Sequence, residues 1–152
     1  MGASRRLIEL GLVLPPPPAP VARFLPAVEA NGLLFLSGLA PLGPDGAPVI
    51  GLVGQDFTAE EAQGFARLVG LNLLSVMQAT LGSLDRVQRI VKVLGLVNAV
   101  PDFTRHPFVI DGCSTLFYEV FGDQGMHART AMGAGSLPSG IPVEIEAVVQ
   151  IA

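Results

Sequence analysis

From Val143 to Ile151 the chain alternates without interruption: Val143, Ile145, Ala147, Val149 and Ile151 share one face, and Glu144 and Glu146 the other. A period of two is a strand laid with one face on a core. The period changes upstream. Ala62, Phe65, Ala66, Val69, Leu73, Val76 and Met77 recur at helical spacing behind Thr58, an N-cap residue with Glu61 three places on, and Gly82 stops the run. Val87–Val97 is rich in β-branched residues and continuously apolar after Lys92, which predicts a central strand covered on both faces. Pro107 opens a second helix through Leu116 and Tyr118 to Phe121, ended by Gly122. Asn31-Gly32 between Phe24–Glu29 and Leu33–Ser37 predicts a hairpin, because both turn residues accept positive φ. Pro44-Asp45-Gly46 is a second turn leading to a short strand at Pro48–Val53. Ser4–Val13 predicts a short helix, and Pro15–Pro18 a stiff linker after it. At the other end, Ser136–Gly140 reads as a turn that folds the Arg129 strand back on the last one, bringing Arg129 near the level of Glu144.

The order ββ(β)αβαββ implies an α+β sandwich, a mixed sheet with two helices on one face and the other face left without cover. Residues 1–152 are expected to form a single domain, with 1–20 as N-terminal helix and proline-rich linker. Half the residues are apolar and 14% charged, well under the usual quarter, so buried surface beyond one chain's core is expected. Net charge of −4 and nine basic residues in no run longer than a pair disfavour a nucleic-acid partner. The lone Cys113 excludes an internal disulfide and fits a reducing compartment. No stretch of about 18 uninterrupted apolar residues argues for a membrane span. Arg5-Arg6 before Leu7–Val13 imitates a signal peptide, but Glu9 and the prolines break the pattern, and a cytoplasmic location is expected.

Arg129 and Glu144 are the candidates for chemistry. A guanidinium holds a carboxylate through two parallel hydrogen bonds, and a carboxylate facing the same cavity can activate a water. From the residues alone, a structural ion pair of Arg129 with Glu144 or Glu146 at a subunit interface is the plainer reading. Neither His106 nor His127 completes a Ser/His/Asp set, no spacing suggests a metal site, and no cofactor is expected. His127, two residues before Arg129, shares its strand face and is a possible pocket wall. Cys113 reads as a buried helix residue, and the glycines of Gly43–Gly46 and Gly133–Gly135 lack the phosphate-loop pattern.

Arg129-Thr130, Leu137-Pro138 and Val143-Glu144-Ile145-Glu146-Ala147, preceded in order by Asn31–Pro41 and Arg86–Pro101, resemble the reactive-intermediate deaminase (Rid, YjgF-like) family, some of whose members carry an endoribonuclease name. The resemblance covers nearly all of the chain after Phe24. It implies a chorismate-mutase-like fold, a homotrimer with a central barrel and clefts between subunits, and hydrolysis of an imine or enamine bearing a carboxylate. By the same resemblance Arg129 binds that carboxylate, Glu144 positions water, and Ser37-Gly38 lies at the pocket. The chain departs from the family at Phe24 (a tyrosine there), at Leu39 after Ser37-Gly38 (a glutamine), and at Ala131 (often a cysteine). Asp111 aligns with the family's asparagine. These departures mark a divergent branch. Two other functions remain open. One is a small-acid binding or sensing protein on the same scaffold without catalysis. The other is an endoribonuclease, against which the acidic charge and the lack of an aromatic-plus-basic stripe count.

Overall fold

The computed structural model describes residues 2–152. The elements are α1 (Ala3–Glu9), β1 (Ala27–Ala30), β2 (Leu33–Leu39), α2 (Ala59–Leu81), β3 (Val87–Asn98), α3 (His106–Phe121), β4 (Ala128–Ala134) and β5 (Val143–Ile151). The five strands form one mixed sheet in the order β1-β2-β5-β3-β4, parallel only between β3 and β4. α2 and α3 lie side by side over one face, so the α+β architecture matches the expectation. Val143, Ile145 and Val149 of β5 share one core with Leu73, Met77 and Phe117, and each is completely buried. Burying one such side chain stabilises the fold by about 1.5–3 kcal/mol over leaving it in water.

The local signals act as physical chemistry requires. Thr58 Oγ1 accepts the Glu61 backbone N–H at 3.1 Å, satisfying one free donor at the start of α2. Gly82 ends that helix at φ 79°, where a side chain would be strained. Asn31 and Gly32 turn β1 into β2 with φ of 51° and 75°. Gly112 lets α3 approach α2 so closely that a Cβ there would strike the Gln63 carbonyl oxygen.

Four expectations need correction. β4 and β5 are not a hairpin, because β3 lies between them. The strand–helix–strand unit β3-α3-β4 sets β4 parallel beside β3, and the chain then crosses the end of β3 to start β5 on its far side. Asn98, the buried last residue of β3, pins that crossing: its N–H donates to the Pro142 carbonyl at 2.8 Å and its Nδ2 to the Ile141 carbonyl at 3.2 Å. β3 is central but covered on one face only, with Val93 and Val97 buried under the helices and Leu94 and Leu96 half-buried on the open face. Pro48–Val53 forms isolated bridges rather than a strand. The N-terminal helix stops at Glu9, short of Val13, and packs on α3, where Arg6 Nε donates to the Glu119 carbonyl at 3.0 Å. The proline segment is then tied down by Ser75 Oγ, which donates to the Pro15 carbonyl at 2.5 Å.

α2 is the one helix among the described residues long and apolar enough to cross a membrane, and it is a core helix of the sandwich.

Candidate functional site

Glu144 stands on the open face of β5, opposite Leu96 of β3. On its other side β2 carries a bulge: Leu36 pairs with Ala147 and Leu39 with Ile145, so β2 holds one residue too many. Ser37 and Gly38 make that bulge, and Gly38 explains itself by contact, since a Cβ there would lie 2.9 Å from a Glu144 carboxylate oxygen. Burial, with the neighbouring charge of Glu146 second, holds the Glu144 carboxyl above the usual carboxylate range. Glu144 and Gly38 open into a cleft of about 930 Å³, walled by Phe24, by the proline segment from Pro15 to Val21, and by the loop around Leu42 and Pro44. Asp45 and Glu144 are its only charged groups among the described residues. Ser37 is turned away, its hydroxyl donating to the Leu25 carbonyl at 2.6 Å, where it fixes the segment that carries Phe24.

Arg129 is elsewhere. It lies on β4 opposite Val93, on the helix-covered face, and its Nη1 donates to Asp111 Oδ1 at 2.8 Å and to Ser114 Oγ at 3.1 Å. With β3 as the ruler, Arg129 and Glu144 sit at Val93 and Leu96, on opposite faces and two strand spacings apart, roughly 10 Å. The expectation that one hairpin brings them together is therefore wrong: its false neighbour relation also placed them on one face. Ala131, opposite Gly95, packs against the core at the same edge and does not line the cleft. Asp111 is brought to Arg129.

Sequence reasoning overlooked Ser114 and the proline segment as site walls. Ser114 lies inside an apolar helix, three residues from Asp111 and so on its face, a signal readable only once Arg129 is known to meet α3. His127 does share the face of Arg129, and both reach Ser114. Cys113, fully buried, has its thiol pushed far up by desolvation and is inert. Among the described residues no cluster of His, Cys, Asp or Glu is placed to hold a metal.

A family model described as "YjgF/chorismate_mutase-like, putative endoribonuclease" matches residues 4–142. The chain belongs to that family. It is 40% identical over 149 residues to protein TCP17 of Trypanosoma cruzi, covering 97% of this chain and 93% of that one. The crystal structure of Atu1372 from Agrobacterium tumefaciens, a protein of unknown function, superposes with a TM-score of 0.89 at 39% identity, covering 99% of this chain and 94% of that one. That of a "putative endoribonuclease" from Shewanella oneidensis gives 0.94 at 27% identity, covering 99% and 100%. Within the YjgF/Rid family, this chain stands with TCP17 and Atu1372 in a divergent branch.

Proposed function

We propose that this protein hydrolyses reactive imine or enamine intermediates to a keto compound and ammonia, in a site shared by two subunits. The observation that carries the reading is the placement of Glu144: a half-buried carboxylate with a raised pKa, facing a large apolar-walled cleft. Such a group takes a proton from water more readily than an ordinary surface carboxylate. An imine is already electrophilic, so placing water and moving one proton cover most of the chemistry. Water adds to the C=N carbon, Glu144 receives its proton, and the amine leaves as ammonia once it is protonated. Members of the Rid family are often deaminases of this kind, which supports the assignment.

Among the described residues the cleft offers no cation to a substrate carboxylate. Arg129 supplies one if it comes from a second copy, because its guanidinium keeps the N–H donors of Nε and Nη2 beyond the two on Nη1 engaged by Asp111 and Ser114. The Phe24 and proline walls favour substrates with larger apolar side chains than the three-carbon imine of serine, at roughly 25 cal/mol per Å² of apolar area buried. An amino-acid oxidase-coupled assay, following imine lifetime with and without the protein, tests both statements. Imines of leucine, methionine and phenylalanine should decay faster than 2-aminoacrylate, and Arg129→Ala should abolish the acceleration. Binding of the acids without acceleration would make the protein a small-acid sensor instead.

A further inference from the structure

Where α3 meets the start of β4, two groups that imine hydrolysis does not use, Ser114 and His127, sit beside Arg129. His127 Nδ1 lies 2.6 Å from the Gly125 carbonyl oxygen. A carbonyl only accepts, so the hydrogen of the neutral ring sits on Nδ1 and leaves Nε2 with a free lone pair. The Ser114 hydroxyl is 2.9 Å from Nε2 and donates to it. Arg129 Nη1 donates to the same oxygen at 3.1 Å, placing positive charge where an alkoxide would develop. Burial, reinforced by Arg129 and opposed by the Gly125 hydrogen bond, lowers the imidazole pKa and keeps the ring in its basic form near neutrality. Phe117 packs edge-on against the ring and limits its rotation. The three groups face a concavity of about 210 Å³ completed by Tyr118, Gly125 and Met126.

We propose that Ser114 is a nucleophile activated by His127, in an acyl-transfer site for small activated esters or thioesters. A hydroxyl, a base within hydrogen-bond reach and a third group orienting the base form the minimal set for such a step. Ser114 Oγ attacks the acyl carbon as its proton passes to His127 Nε2. The bond from the acyl carbon to the leaving oxygen or sulfur breaks, and the leaving group takes that proton. Water repeats the exchange on the acyl-serine, releasing a carboxylic acid and restoring the hydroxyl. Arg129 lies beside the reacting oxygen, and the small concavity restricts the acyl group to a few carbons. A backbone carbonyl holds the ring in place of the usual carboxylate, so the imidazolium is less stabilised and turnover is slow.

The test is covalent labelling of the full-length protein with a fluorophosphonate probe, read by intact mass and peptide mapping. The expected result is one adduct per chain at Ser114, absent from Ser114→Ala and forming roughly tenfold or more slowly in His127→Gln. Ser114→Cys gives a second arm. Its thiol should be alkylated by iodoacetamide much faster at pH 7 with His127 than in the double variant with His127→Gln. No adduct at Ser114, or labelling and alkylation rates indifferent to His127, would overturn the proposal. Imine hydrolysis is assayed separately, and its absence would leave the labelling result standing.

Discussion

Glu144 and Glu146 stand two residues apart on one strand face, close enough for the charge of Glu146 to act on Glu144. Glu146 lies on the open face beside Glu144 and contributes to the rise in its pKa, after the larger effect of burial. A base must be deprotonated to accept a proton, so activity should fall as pH drops through the raised pKa, giving an acid limb above the ordinary carboxylate range. Glu146→Gln removes the like charge and should move that limb of kcat/KM to lower pH while the plateau stays within a few-fold. An unmoved limb would assign the pH dependence to another group. The strand period alone told which face Glu144 occupies, since alternation fixes faces. The bulge at Ser37-Gly38 was not readable, because an extra residue shows only once the partner strand is known. The role of Ser37 was hidden for a related reason: its hydroxyl serves a carbonyl twelve residues upstream rather than the cleft.

At the scale of elements, caps and stops were readable where the signal is local. Thr58, Gly82, Pro107 and Gly122 bound the two long helices close to where the sequence puts them. Pairing partners are non-local, and there the sequence misled. A Leu-Pro-Ser-Gly stretch looks like a hairpin turn, but Ser139 at φ 58° and a 3₁₀ turn over Pro138–Gly140 serve a crossing, held by Asn98 on a different strand. The helix between β3 and β4 is the clue that those strands run parallel. The contact of α2 with α3 is tight at Gly112, and Gly112→Ala should push the helices apart. The expected cost is about 1–3 kcal/mol, as for overpacking a core, seen as a lower midpoint in thermal or urea unfolding. An unchanged midpoint would show that the helices separate freely.

The whole molecule leaves one sheet face uncovered, and beside its charged groups that face carries an apolar patch: Val28, Phe35 and Met132 are each nearly half exposed, around Leu94, Leu96 and Val148. We infer that copies of the chain bury it in the trimer expected of the family. Phe35→Glu should then give a folded monomer by sedimentation, whereas the unaltered protein should sediment as a trimer; a monomer in both cases would remove the burial argument. A three-fold ring uses two different patches at each interface, so the Arg129 edge of one subunit can meet the Glu144 face of the next. Such a shared site would join two residues that a single chain holds on opposite faces of its sheet. Subunit complementation tests it most directly. Arg129→Ala and Glu144→Gln are each expected to be inactive in imine hydrolysis. Mixed equally and allowed to reassemble, they should recover activity, with about one interface in four carrying both intact residues. Mixed trimers as inactive as either parent would contradict a site built from two subunits.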